Sequence, residues 1–160
     1  MYEPGWLTHL GASWAHAWYV YEEQPEYPGV VPKLDAYLER LPKDSRDRRA
    51  YERYLNVRID KTWLENYAKP YFDLKKKRGT FVHCGELGVY NRVVPRQSQF
   101  NWYRDVLDIL TKHGVGWAQW DFHGPFGIIN TGREEFHSQT LPNGDRLDKE
   151  LLDLIRDYLK

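Results

Sequence analysis

Val82-His83-Cys84-Gly85-Glu86-Leu87-Gly88 is the stretch that decides how this chain folds. Phe81–Cys84 is too short for a helix and too apolar for an exposed segment, so it reads as a buried strand. Gly85 and Gly88 then frame a carboxylate at the strand's exit, where the backbone must turn sharply. Alternation along the strand sets Val82, Cys84 and Glu86 on one side and His83 on the other, toward covering helices. Further on, Val115-Gly116-Trp117-Ala118-Gln119-Trp120 reads as a second strand of the same kind, ending in aromatic rings.

Helical patterns flank both strands. Over residues 60–77, Leu64, Tyr67, Tyr71 and Leu74 recur at three- and four-residue intervals, with Asp60 or Thr62 as cap and Arg78-Gly79 as stop. Pro70 must kink this helix or sit where a lost hydrogen bond is tolerated. Ser98 is a candidate cap for the next helix, whose face holds Phe100, Tyr103, Val106, Leu107 and Leu110 before His113-Gly114. A closing helix follows Asp148, and residues 121–146 between strand and helix read as one long loop. The charged run from Lys43 to Arg53 alternates in sign and reads as a solvated helix face. Residues 1–35 read as an aromatic loop region with a short helix around Ala12–Trp18.

Helix alternating with strand argues an α/β architecture with parallel strands. Two parallel strands are too few to make a covered sheet, and a whole (β/α)8 barrel takes about 250 residues. The 160 residues supply the material for a barrel's last third.

Composition narrows the partners. The 23 basic and 23 acidic side chains leave no net field to recruit nucleic acid or an anionic membrane. No apolar run approaches the roughly 20 residues of a membrane span, and the first residues show no secretory pattern. The single cysteine excludes an internal disulfide. A core rich in large rings accounts for most of the 16% aromatic content; the sharper reading sets several rings in a groove, where a flat ring suits the apolar C–H face of a pyranose.

An ordered set of motifs runs along nearly the whole chain outside residues 20–58. It comprises Tyr2-Glu3-Pro4, Thr8-His9-Leu10-Gly11-Ala12-Ser13-Trp14 and Gly85-Glu86-Leu87-Gly88, continues with Tyr103-Arg104-Asp105 and Gly116-Trp117-Ala118-Gln119-Trp120, and ends in Gly124-Pro125-Phe126-Gly127-Ile128. The set resembles the C-terminal portion of glycoside hydrolase family 5, the cellulase-like retaining β-glycosidases. The resemblance implies part of a TIM (β/α)8 barrel: the exit of strand 6 at residues 1–3, then strands 7 and 8 with their helices. It implies one partial catalytic domain over residues 1–160, an oligo- or polysaccharide substrate and no cofactor or metal. Glu86 matches the family's nucleophile, Tyr2 the tyrosine that hydrogen-bonds it, and Trp120 the floor of the sugar subsite at the cleavage point. Trp14 is a second candidate for the groove. Family members are extracellular, although no signal peptide is visible here.

The largest departure from the family is what is missing, including its strand 2 arginine and strand 3 histidine. The family's acid/base glutamate follows an asparagine, and no Asn-Glu pair occurs in the sequence. A truncated gene model, a split gene or an expressed fragment is therefore expected, with little activity alone.

Retaining hydrolysis needs two carboxyl groups about 5–5.5 Å apart, one attacking carbon and one protonating the departing oxygen. A phenol donating to the attacker favours its charged form. Competing readings remain open: a carbohydrate-binding half-barrel without chemistry, or a structural piece needing a separate N-terminal half-barrel or self-association. A thiol hydrolase built on Cys84 with His83, His113 or His123 as base has no supporting local signature. The histidines show no metal-ligand spacing.

Overall fold

A computed structural model describes residues 1–15, 18, 21–24 and 26–159. Its centre is a parallel pair, β1 (His83–Leu87) and β2 (Gly116–Gln119), with His83 opposite Gly116, Cys84 opposite Trp117 and Leu87 opposite Gln119. The register slips between Cys84 and Leu87, so Glu86 sits at an irregularity rather than in a regular ladder. Such irregularities re-aim a side chain.

Among the described residues, four helices are placed upstream of β1: α1 (Gly5–Thr8), α2 (Leu34–Arg40), α3 (Arg46–Glu52) and α4 (Lys61–Arg78). The crossover between the strands is α5 (Arg96–Lys112), and the chain closes with α6 (Lys149–Asp157). Helix α2 is not among the expected elements. The expected helix around Ala12–Trp18 is not seen at Ala12–Ala15, which form turns, and residues 16 and 17 lie outside the described residues.

Each long helix carries its own punctuation. Asp60 caps α4 by accepting from the Trp63 N–H at 3.0 Å, and Gly79 ends it with φ of +60°. Lys75, Lys76, Lys77 and Arg78 fill its last turn, where the helix dipole favours cations. The buried stripe of α4 is Leu64, Ala68 and Phe72, with Phe72 stacked on His113 at 3.8 Å between ring centroids. This corrects the expected face. Tyr67, Tyr71 and Leu74 are exposed, because the stripe advances by four residues and leaves the i+3 positions in solvent.

Helix α5 is the central element of the core, burying Trp102, Tyr103, Val106, Leu107, Ile109 and Leu110. It starts at Pro95, before the expected cap. Ser98 lies inside the first turn and is buried, its hydroxyl accepting from the Tyr27 N–H at 3.0 Å. Arg96 pairs with both oxygens of Asp148, one at 2.6 Å, while Asp148 also caps α6 by accepting from Leu151 N–H at 3.1 Å. One buried carboxylate thus fastens the first turns of two helices together.

Two further expectations change. The first strand begins at His83, not Phe81, and is mostly exposed: Phe81 is 74% exposed, and His83 faces solvent rather than a helix. The long loop contains a 3-10 turn (Glu134–Phe136) and an antiparallel hairpin, β3 (Gln139–Thr140) with β4 (Arg146–Leu147). Trp117, expected in the core, is half-buried and packs against it. Among the described residues β1 pairs only with β2, and no helix is long and apolar enough to cross a membrane.

Candidate active site

The exits of β1 and β2 are tied together before any side chain is considered. Trp120 N–H donates to the Leu87 carbonyl at 2.8 Å. A Cβ on Gly88 would overlap the Trp120 carbonyl oxygen and approach the Phe126 ring at 3.2 Å, so only glycine lets the two exits cross. Glu86 therefore emerges at the same end of the sheet as Trp120, whose indole is 48% exposed.

Tyr2 reaches this end from the other end of the sequence. Its hydroxyl donates to Glu86 Oε2 at 3.0 Å. Burial, and then the bond to Glu86, push the phenol's pKa well up, so it remains protonated and able to donate. The residue is held by its backbone as well as its ring: Thr8 Oγ1 donates to the Tyr2 carbonyl at 2.6 Å. Its ring meets His9 edge-on at 5.0 Å and Phe126 at 5.9 Å.

Phe126 joins these groups into a wall. It lies 5.5 Å from both His9 and Tyr90, and 6.2 Å from Trp14. Trp14 in turn stands edge-on to Tyr90 at 5.4 Å and is 63% exposed. Burial pushes the His9 pKa down, which favours a neutral imidazole in the wall.

A second carboxylate beside Tyr2 is already engaged. Glu3 takes a 2.8 Å ion pair from Arg53 and a hydrogen bond from the Tyr54 hydroxyl. Cys84 meets the Met1 amino group and the Glu86 carbonyl, each at 3.2 Å from its sulfur, and no imidazole. That leaves a thiol nucleophile without a base. Among the described residues no group of three His, Cys, Asp or Glu could hold a metal ion.

The loop leaving β2 is rigid. The Phe122 carbonyl accepts from Ile128 N–H and Ile129 N–H, each at 3.2 Å, and Gly124 N–H donates to Ile129 at 2.8 Å. The Gln119 amide reaches inward to Tyr103 Oη, the Trp120 carbonyl and the Phe126 carbonyl at 2.8–3.0 Å. Asp121 sits within this loop, and burial pushes its carboxyl pKa up.

A hollow of about 510 Å³ runs along the open side of β1, lined by Val82, Cys84, Glu86, Met1, Tyr67 and Tyr71 among others. A wider one of about 820 Å³ lies along α4, from Glu65 to Gly79, beside the C-terminal end of α5. There Glu65 is neutralised by Lys112 and His113, both at 2.7 Å, and nothing in that hollow resembles chemistry.

The structure thus brings Glu86, Tyr2, Trp120 and Trp14 to one end of the molecule. Sequence reasoning did not single out His9, Tyr90, Phe126 or Asp121. His9 and Phe126 lie inside the quoted motifs, which was the only available signal.

Comparison with known proteins follows the same line. No protein-family profile matches the chain. It is 27% identical over 143 residues to endoglucanase C of Acetivibrio thermocellus, covering 89% of this chain and 40% of that protein. It is also 27% identical over 115 residues to cellodextrinase A of Ruminococcus flavefaciens, covering 71% of this chain and 25% of that one. Among solved structures, a glycoside hydrolase matches with a TM-score of 0.73 and 29% identity, over 98% of this chain and 40% of the other. The fold also matches endoglucanase Cel5A of Thermotoga maritima, with a TM-score of 0.54 and 22% identity, over 95% and 36% of the two chains.

The resemblance to the cellulase-like glycoside hydrolases of family 5 is borne out: the relatives include endoglucanases, and the mixed helix–strand fold is consistent with part of a barrel. The chain spans about 40% of the length of endoglucanase C.

Proposed function

We propose that residues 1–160 form part of the catalytic domain of a retaining β-glycosidase and carry its nucleophile. In this reading β1 and β2 correspond to barrel strands 7 and 8. The substrate is a β-1,4-glucan or related β-linked polysaccharide. The observation that carries the reading is the 3.0 Å bond from Tyr2 to Glu86 at the strand exits, where the backbone of Trp120, its indole exposed, is bonded to Leu87. A Glu86 oxygen attacks the anomeric carbon, the bond to the departing sugar oxygen breaks, and a water molecule later releases the glycosyl group. Tyr2 aims the carboxylate, and Trp120 and Trp14 stack on sugar faces.

Protonation of the departing oxygen needs a second carboxyl, and Glu3 is engaged by Arg53 and Tyr54. The acid comes from polypeptide outside these residues, so natural glucan is turned over poorly by this chain alone. A leaving group that is already a weak base needs no such proton. The test is incubation with 2,4-dinitrophenyl 2-deoxy-2-fluoro-β-cellobioside, whose fluorine slows release of the adduct. Mass spectrometry should find one fluorocellobiosyl group on the peptide containing Glu86, absent in Glu86→Gln. Labelling at another residue, or none at all, overturns the nucleophile assignment.

The engaged Glu3 and the exposed rings of Trp14 and Trp120 also favour a second reading, a carbohydrate-binding half-barrel. Saturable binding of cello-oligosaccharides without labelling would select it.

A separate N-terminal half-barrel, or a second copy, is the proposed protein partner. The support is the open side of β1 and the exposed strip of Tyr67, Tyr71, Leu74 and Phe81. Size-exclusion chromatography of the isolated chain should show association, and a stable monomer over a wide concentration range would remove this part of the proposal.

A further inference from the structure

Phe122 is an exposed aromatic residue on a loop that has no freedom to bury it. It lies two residues beyond Trp120, and its ring is 71% exposed. Its backbone, by contrast, is among the best-anchored in the region. The carbonyl takes hydrogen bonds from both Ile128 and Ile129, and a Cβ on Gly127 would crowd it at 2.6 Å. The neighbouring Phe126 turns into the wall around Tyr2 and is buried. The loop therefore sends one phenylalanine inward as packing and holds the other in solvent.

A large apolar ring held in water by a hydrogen-bonded backbone contributes nothing to the core and is available to stack on a ligand. We propose that Phe122 is a second stacking platform, holding a sugar ring next to the one over Trp120. The inference rests on the saccharide-binding reading of the site. Three features select a β-linked glycan as occupant. The ring is continuous along the chain with Trp120 at the exit of β2. It stands on the same loop as the wall that packs on Tyr2. The neighbouring His123 is exposed, its imidazole within 2.8 Å of Asn130 Nδ2, and such polar groups suit sugar hydroxyls.

Backbone hydrogen bonds and the Gln119 and Asn91 amides hold the loop, none of them through the ring at 122, so changing that side chain leaves the fold intact. The test is titration of the 160-residue chain with cellobiose and cellotetraose, followed by calorimetry, for wild type, Phe122→Ala, Phe122→Tyr and Trp120→Ala. Phe122→Ala should weaken cellotetraose binding by about three- to tenfold, the effect of losing one ring contact, and should weaken cellobiose less. Phe122→Tyr should restore wild-type affinity. If Phe122→Ala binds cellotetraose as wild type does while Trp120→Ala binds it poorly, the second platform is overturned and the site stands. If neither substitution changes binding, or wild type does not bind, the saccharide site itself falls and takes this inference with it.

Discussion

The hydroxyl of Tyr2 donates to Oε2 of Glu86 at 3.0 Å, joining residues 84 positions apart in sequence. Neither residue is placed by its own neighbours alone. Glu86 is aimed by the slip in the β1–β2 register, and Tyr2 is steadied by Thr8, His9 and Phe126.

Removing that one hydroxyl tests the pairing without disturbing the wall, since Tyr2→Phe keeps the ring. A hydrogen bond to a charged group is worth about 1.5–3 kcal/mol. The rate of labelling by the activated fluorocellobioside should therefore fall by roughly 10- to 100-fold, with the thermal midpoint little changed. An unchanged labelling rate would remove Tyr2 from the site.

Gly88→Ala should be far more damaging than its size suggests. The new methyl would overlap a backbone oxygen of Trp120, which has no rotamer to escape into. Loss of about 1–3 kcal/mol is expected from urea unfolding, with a shift in tryptophan emission as the β2 exit moves. Gly85→Ala is the control, because nothing lies within 4 Å of a Cβ there, and it should be nearly silent.

Arg96→Met leaves Asp148 charged, 1% exposed and without its guanidinium. Breaking one side of a buried pair costs about 3–5 kcal/mol. Denaturant midpoints should show that loss, and the double substitution with Asp148→Asn should recover part of it, since the amide still caps α6 without a buried charge.

The wall gives a pH dependence. Burial depresses the His9 pKa in the folded state below its ordinary value of 6.5, so the unfolded chain takes up the proton first as pH falls. Stability from this residue is complete above about pH 6.5 and declines as pH drops toward the folded-state value. His9→Phe keeps a ring against Tyr2 and Phe126 and removes the titration. The fall in thermal midpoint between pH 7.5 and 5 should be smaller in His9→Phe than in wild type, and an equal fall would place the pH dependence elsewhere.

Local signals were legible in the sequence and long-range ones were not. Asp60, Gly79, Asp148 and His113-Gly114 act within a turn of their helices, and each marks an end as read. Tyr67 and Tyr71 misled because a tyrosine satisfies an apolar pattern while tolerating water. Phe81 misled because an apolar run implies burial only where something covers it. The β3–β4 hairpin was invisible, since two-residue strands cannot show alternation, although Asn143-Gly144 marked its turn. In the site, Glu86, Tyr2, Trp120 and Trp14 were singled out by family resemblance and ring chemistry. Tyr90, Phe126, His9 and Asp121 acquire meaning only when loops from residues 2, 9, 90 and 126 converge, and no local pattern encodes that meeting.

The anchoring of the loop after β2 has an evolutionary implication. Position 122 is fixed through its main chain alone, so its side chain is free of structural duty. On the stacking role proposed for it, replacing that ring changes glycan preference and leaves the loop's anchoring in place. Such decoupling makes this tip a place for laboratory selection to begin.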